Sequence, residues 1–264
     1  MNIDKLEQIW NDSCKIVDVI EMAAQFILQI YHTENFMIEN KKDNSPLTIA
    51  DRKANQYICE KLNNMFDIPI ISEENKNDDY EKRKNYEYVW LIDPLDGTKE
   101  FIKKNGEFTV NIGLVKNGVV VGGFVNIPVE GKTYWAVEGK GAWMKENGIV
   151  MNLKNNRENY NNLGRNIRVI SSRSHMNEET KKFVEKLGKV EMVNVGSSIK
   201  IIWIAENKAD IYPRIAPTME WDTCAAHAIL KEIGGNLKIY PNLEDEVKYN
   251  KENLLNPYFI AQMN

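Results

Sequence analysis

Residues 88–98, Tyr-Val-Trp-Leu-Ile-Asp-Pro-Leu-Asp-Gly-Thr, constrain this chain more than any other stretch. An apolar run without polar alternation reads as a buried strand, which other layers must cover. It ends abruptly in two acids three residues apart, Asp93 and Asp96. Pro94 fixes one φ angle and Gly97 permits a tight turn, which gathers both carboxylates and the Thr98 hydroxyl around one point. Strand ends are where α/β proteins commonly build sites. Asp-Pro and Asp-Gly are each ordinary turn pairs when met alone. Run together after an apolar strand, with a hydroxyl next, they make a candidate site.

From residue 108 the hydrophobic period becomes two. Phe108, Val110, Ile112 and Leu114 alternate with Thr109, Asn111 and Gly113, and Lys116-Asn117-Gly118 supplies a hairpin turn. Residues 134–137 add a third strand. Upstream, Leu6, Ile9, Trp10, Ile16, Val17, Ile20, Ala23, Ala24, Ile27 and Tyr31 recur at helical spacing, predicting one long amphipathic helix. Ala54, Ile58 and Leu62 predict a second. A short strand at 68–72 ends in Glu73-Glu74, and the charged residues 75–85 read as a solvated loop. After residue 166, strands at 167–171, 190–195, 209–212 and 237–240 alternate with helices at 178–187, 198–206 and 222–233. The polar stretch 144–166 suggests a division within one unit of 1–264. Sub-region 1–145 is antiparallel-rich and carries most of the acids; sub-region 146–264 alternates. The expected class is mixed α/β (α+β).

Composition removes several functions. At 264 residues and 43% hydrophobic, the chain can bury a core without disulfides or structural metal. A net charge of −4 with no basic tract argues against binding a nucleic-acid polymer, though not against a small nucleotide. Cys14, Cys59 and Cys224 are scattered and read as buried small side chains in a reducing compartment. No secretory pattern opens the chain and no apolar run reaches membrane-spanning length, so a cytoplasmic location is expected.

Three further segments join the paired Asps. Glu73-Glu74 at a strand end costs repulsion and desolvation unless a cation neutralises it. In Glu220-Trp221-Asp222-Thr223-Cys224-Ala225-Ala226, Asp222 stands where a helix N-cap is expected, a sufficient structural role that still leaves its carboxylate able to face a metal. In Ser45-Pro46-Leu47-Thr48-Ile49-Ala50-Asp51, the acid could be only a first-turn residue favoured by the helix dipole. Magnesium prefers oxygen ligands and needs only a few carboxylates plus substrate phosphate. Glu73, Asp93, Asp96 and Asp222 supply such a set, with a backbone carbonyl between the paired Asps as a fifth donor. Metals about 4 Å apart can activate water and stabilise a leaving oxygen. No Cys/His or Ser/His pair competes: His32 and His227 read as structural, while His175, after Ser172-Arg173-Ser174, is the one suspected of meeting ligand.

The four segments in this order resemble the inositol-monophosphatase-like superfamily of lithium-sensitive, magnesium-dependent phosphatases. DPLDGTKEFIKKNGEFTVNIGLV at 93–115, GSSIK at 196–200 and YPRIAPTMEWDTCAAHA at 212–228 are closer to its bacterial CysQ-type 3′(2′),5′-bisphosphate nucleotidases. Inositol monophosphatases usually read G-T-x-N-F where this chain has Gly97-Thr98-Lys99-Glu100-Phe101. They also usually place an acid near the position of Arg214, where a cation suits an additional phosphate. The resemblance implies a layered α-β-α-β-α sandwich holding two or three magnesium ions. It implies Glu73, Asp93, the Leu95 carbonyl, Asp96 and Asp222 as metal ligands, supported from behind by Glu74. Asp51 and Thr98 would polarise the attacking water, and the backbone at Gly97 and Thr98 would hold the scissile phosphate. Gly196, Ser197, Lys200 and Arg214 would contact the rest of the nucleotide. The implied reaction removes the 3′-phosphate of adenosine 3′,5′-bisphosphate, in a monomer or homodimer. An inositol or sugar phosphatase with the same metal site is the alternative; a non-catalytic phosphate sensor or a purely structural acidic domain would require the motifs to be idle.

Overall fold

The computed structural model describes residues 4–33, 38–40, 46–153, 165–171 and 177–264. Helices α1 (Lys5–Asn11) and α2 (Ser13–Tyr31) lead through β1 (Ile38–Asn40) and β2 (Pro46–Thr48) into α3 (Ile49–Met65). β3 (Ile70–Ser72), α4 (Tyr80–Arg83), β4 (Tyr88–Asp96) and α5 (Thr98–Ile102) follow. A meander then runs through β5 (Thr109–Lys116), β6 (Val119–Ile127), β7 (Lys132–Val137), β8 (Ala142–Glu146) and β9 (Ile149–Asn152). The remainder comprises β10 (Ile167–Ser171), α6 (Glu178–Glu185), β11 (Val190–Asn194), α7 (Ile199–Ala205), β12 (Ile211–Arg214), α8 (Glu220–Glu232), β13 (Gly235–Ile239) and β14 (Phe259–Met263).

Strands β3 to β9 form a seven-stranded sheet in chain order, and a five-stranded sheet has the order β11-β10-β12-β14-β13. Only β3 and β4 pair in parallel in the first; antiparallel pairs carry the rest. Asn117 and Gly118 take φ of 49° and 80°, the left-handed pair that a two-residue hairpin requires.

Alternation along β4 shows why the strand is apolar throughout. Trp90 and Ile92 pack with α2 and α3 residues such as Ile20, Ile27 and Ile58. Val89 and Leu91 face the opposite way, onto Ile201 of α7 and Cys224 and Ile229 of α8. Beyond the second sheet, Val169, Ile211 and Ile260 pack with Val184 and Phe183 of α6. The layers are therefore α2/α3, seven strands, α7/α8, five strands, α6: the α-β-α-β-α sandwich. Each fully buried aliphatic or aromatic side chain contributes about 1.5–3 kcal/mol, so two such interfaces supply most of the cohesion.

Helix α8 lies against backbone. An added Cβ on Gly123 would stand 2.2 Å from the Ala225 carbonyl oxygen, and one on Gly113 would stand 2.5 Å from Cys224 Sγ. These glycines are register partners on β5 and β6, so together they form the trough in which the first turns of α8 rest.

Several expectations are corrected. The first helix is two, because Asp12 at φ −94°, ψ 6° breaks the run between α1 and α2. Residues 75–85 are not simply a solvated loop: Arg83 of α4 is 4% exposed and donates to Asn250 Oδ1 at 2.8 Å and to the Lys251 and Glu252 carbonyls at 3.2 Å. The stretch 144–152 is not weakly patterned; it contributes most of the β8–β9 ladder. Residues 154–164, the centre of the expected division, lie outside the described residues. Strand β14, which joins β12 to β13, has no counterpart among the strands expected from sequence. Cys14 is exposed rather than buried, Cys59 half-buried and Cys224 buried, all as free thiols.

Gly123→Ala should lower stability by about 2–3 kcal/mol, the upper part of the overpacking range, because the clash is with backbone. Gly122→Ala, whose Cβ would find its nearest neighbour at 3.4 Å, should cost well under half of that by urea denaturation.

Candidate active site

The acids reach one region through three different elements. Asp93 and Asp96 stand where β4 leaves its ladder, and the β4–β5 register shifts between them. That irregularity is the structural form of Asp-Pro-Leu-Asp. Asp93 continues the face of Val89 and Leu91 and so points toward the α7/α8 layer; it is 1% exposed. Its Oδ1 accepts the Leu95 N–H at 3.0 Å. Glu73 follows β3, its backbone N–H donating to the Ile92 carbonyl at 3.1 Å, so parallel pairing sets it beside the end of β4. Glu74 is held by its backbone N–H on Ser72 Oγ at 3.4 Å.

Asp222 arrives on α8. It is not the N-cap: Met219 takes that position and Asp222 is the third helical residue, its Oδ2 accepting the Met219 N–H at 2.9 Å. This reaches back over the helix start in the manner of a capping box. One carboxylate oxygen caps the helix and the other remains to face the site.

Asp51 is positioned in the same way on α3. Thr48 caps that helix, and Asp51 Oδ2 accepts both the Thr48 N–H at 2.8 Å and the Thr48 hydroxyl at 2.5 Å. Asp51 Oδ1 then accepts the Thr98 hydroxyl at 3.3 Å, and Thr98 Oγ1 lies 3.2 Å from the Leu95 carbonyl. A long-range bond across 47 positions thus joins the two residues expected to activate water.

The electrostatics are unfavourable by construction. Burial, then the charges of Glu73, Asp96 and Asp222, push the Asp93 carboxyl well above the usual carboxylate range. Burial and Asp96 do the same to Asp222, opposed by the Met219 N–H and by Arg214. Two buried carboxyls whose proton affinity is raised by neighbouring acids suit a hard divalent cation. Their spacing is wider than a closed coordination shell: among the described residues, no three such side chains form a group that could hold an ion. Asp96 is turned to neutral donors, its Oδ2 accepting Ser197 Oγ–H and Ser198 N–H, each at 2.6 Å. Asp96 thereby caps α7, whose own N-cap Ser198 makes no capping bond.

A cavity of about 370 Å³ opens beside these groups, its lining including Asp96, Gly97, Ser197, Lys200, Arg214 and Asp222. Gly97 has φ 93° and no room for a Cβ, which would meet the Glu107 carbonyl at 3.0 Å. Ser197 holds φ 55°, an uncommon conformation for a residue with a side chain. Lys200 is 8% exposed and donates to the Ser197 carbonyl at 3.1 Å. Arg214 donates to the Pro217 carbonyl at 2.5 Å. Gly196 is not in the lining; its N–H donates to Glu107 Oε2 at 2.8 Å. A larger cavity, about 720 Å³, is lined near Arg165 and Asp210. Its Asp210 is ion-paired to Arg165 at 2.7 Å and Arg168 at 3.1 Å, and it is the one acidic side chain in that lining.

Sequence reasoning missed Ser198, Thr109, Asn111 and Glu107. Thr109 Oγ1 lies 2.6 Å from Ser197 Oγ and 2.8 Å from Ser198 Oγ, and Ser198 donates to Asn111 Oδ1 at 2.9 Å. The available signal was two polar residues on one face of an otherwise apolar strand, both 0% exposed. Two histidines prove structural. His32 follows α2 as its C-cap, while His227 is buried with Nδ1 2.8 Å from Tyr249 Oη, and burial lowers its pKa to about 3. His175 lies outside the described residues.

A carboxyl with a raised folded-state pKa stabilises the fold fully below its unfolded value, and that contribution is lost as pH rises through the raised one. In EDTA the melting temperature should therefore rise as pH falls from about 8 toward about 5.5. Asp93→Asn removes one of the two carboxyls raised well above the usual range and should flatten this slope while remaining folded; an unchanged slope would remove Asp93 from the repelling cluster.

The chain matches the model of the inositol monophosphatase family over residues 12–251. It is 40% identical to the 3′(2′),5′-bisphosphate nucleotidase CysQ of Shigella flexneri over 250 residues, 93% of this chain and 97% of that protein. To the CysQ of Escherichia coli K12 it is 38% identical over 251 residues, with the same coverage. Among solved structures, CysQ from Bacteroides thetaiotaomicron superposes with a TM-score of 0.82 at 42% identity, over 96% of this chain and 97% of that one. With sandwich, acid-bearing strand ends and matched length in agreement, this chain belongs to the inositol monophosphatase family.

Proposed function

We infer that the protein is a phosphoric monoester hydrolase that removes the 3′-phosphate of adenosine 3′,5′-bisphosphate, giving AMP and phosphate. The observation that carries this reading is the cavity beside the acids, whose lining joins Asp96 and Asp222 to Lys200 and Arg214. The acids of that lining suit cations and a scissile phosphate; its bases suit a further anionic group. The relatives named bisphosphate nucleotidases align along nearly the whole chain. The inositol alternative has less support, since a monophosphorylated polyol offers Arg214 and Lys200 no second phosphate.

Glu73, Asp93, the Leu95 carbonyl, Asp96 and Asp222 would hold magnesium, and no helix among the described residues is long and apolar enough to cross a membrane. Bound there, magnesium supplies charge neutralisation at the phosphoryl oxygens and a lowered pKa for water. The chain's own residues do the remainder. Thr98 orients the attacking water through its hydroxyl, whose proton is directed at Asp51 Oδ1. Asp51 accepts the proton lost as the water oxygen bonds to phosphorus, while the P–O3′ bond breaks and the ribose oxygen takes up a proton. Asp51 is restrained for this by Thr48, which occupies its other oxygen. Glu74 would support Glu73 from the neighbouring position. Cytoplasmic clearance of a by-product of sulfate activation is the setting that fits.

Phosphate release with magnesium should be faster on adenosine 3′,5′-bisphosphate than on inositol 1-phosphate at equal concentration; the reverse preference would overturn the substrate assignment and keep the hydrolase. Asp51→Asn should lower kcat about 100-fold or more, with little change in KM. Unchanged kcat would leave Asp51 with only its role at the start of α3.

A further inference from the structure

Four cations from three elements line the cavity beside the acids: Lys99 and Lys103 at α5, Lys200 on α7 and Arg214 on β12. The family resemblance implies ligand contacts for the last two only. Lys99 and Lys103 are four residues apart along one short helix and its C-cap, which puts them on the same face. Both residues belong to the lining of the cavity, together with residues of α7 and β12.

None of the four makes an ion pair with a carboxylate among the described residues, while thirteen other Lys/Arg to Asp/Glu contacts elsewhere are within 4.0 Å. Lys200 and Arg214 donate only to backbone carbonyls, and Arg214 Nε is buried without an acceptor. The acids of the same lining are Asp96, which accepts from Ser197 and Ser198, Asp222, whose charge Arg214 opposes, and Glu100. A cavity lined by four cations that make no ion pair among the described residues, beside the acids proposed to hold metal, is matched to a ligand with anionic charge beyond the phosphate being cleaved. A phosphate monoester carries about −1.5 to −2 at neutral pH, so a second one is the fitting charge.

Resting on the nucleotidase reading above, we propose that Lys99 and Lys103 form, with Lys200 and Arg214, the subsite for the substrate's second phosphate and so determine preference for bisphosphorylated over monophosphorylated nucleotides. The α5 lysines close the subsite from the side next to Gly97, which couples it to the loop that bears Asp96 and Thr98. Being exposed, they are free to reorient onto a ligand at little cost to the fold.

The test is kcat/KM with magnesium on adenosine 3′,5′-bisphosphate and on adenosine 3′-monophosphate, for wild type, the double variant Lys99→Gln/Lys103→Gln, and Lys104→Gln. Lys104 is outside the cavity lining and donates to the Thr33 carbonyl at 3.2 Å, so its variant removes a nearby charge without touching the subsite. The double variant should lower the bisphosphate-to-monophosphate ratio about 10- to 100-fold, the scale of one or two charge-assisted hydrogen bonds. Lys104→Gln should leave that ratio within about twofold of wild type. A double variant with the wild-type ratio, whether both substrates slow equally or neither slows, overturns the subsite. A wild type that shows no preference for the bisphosphate overturns the nucleotidase reading instead, so the two failures are separable.

Discussion

The site depends on one close approach: the first turns of α8 lie on the backbones of β5 and β6, where Gly113 and Gly123 leave no side chain between. Asp222 is in the first turn of that helix, so the separation of helix and sheet sets its height over Asp93. A Cβ at either glycine would lift the helix or force Cys224 and Ala225 aside. Packing of this kind is stiff, because interiors are filled to crystal-like density and small displacements are resisted. Stiffness is what a site of mutually repelling carboxylates needs, since nothing in their own chemistry holds them together.

That repulsion is the second constraint. Asp93 has burial and three acids against it, with only the Leu95 N–H in its favour. Fold and function therefore oppose each other locally: the hydrophobic layers on either side of β4 carry a destabilising cluster whose natural complement is cationic. The local capping bonds limit the damage. Asp222 and Asp51 each commit one oxygen to the backbone N–H of their helix start, and Asp96 commits one to α7. Each acid is thereby oriented by a bond that does not need a metal, which is a form of preorganisation.

Behind α8 a buried polar network fixes the helix from its other side. Asn256 donates to the Met219 carbonyl at 2.7 Å and to Thr223 Oγ1 at 3.0 Å. Glu220, fully buried, accepts N–H groups of Asn250 and Lys251 and pairs with the Lys251 ammonium. Arg83 ties α4 to the same 250–252 segment. Breaking such a network leaves buried groups unsatisfied, which costs more than the net worth of each bond. The helix start is consequently held between glycine backbone in front and hydrogen-bonded polar groups behind.

Much of this was legible without coordinates. The apolar run into Asp93, the period-two stretch with its Asn-Gly turn and the helical stripe of α2 are local patterns, and local patterns follow from pleat, helix pitch and turn sterics. The order of acidic segments was sufficient to identify the family, and with it the layers. What the sequence could not supply were relations across long separations. It placed Asp222 at the cap rather than inside the first turn, and it missed β14, whose alternation is no clearer than that of a loop. It missed the α4 anchor through Arg83, which looks like one more charge in a charged stretch. Nor could it show that Glu107, 89 positions away, accepts the Gly196 N–H. By itself the sequence determined most of the elements, the acids and the hydrophobic faces, because those arise from neighbours along the chain. Only the tertiary structure decided which oxygen of each acid is committed to a helix start and which cations line one cavity, because those are set by packing between residues far apart in the chain, as Asp96 and Ser198 are by 102 positions.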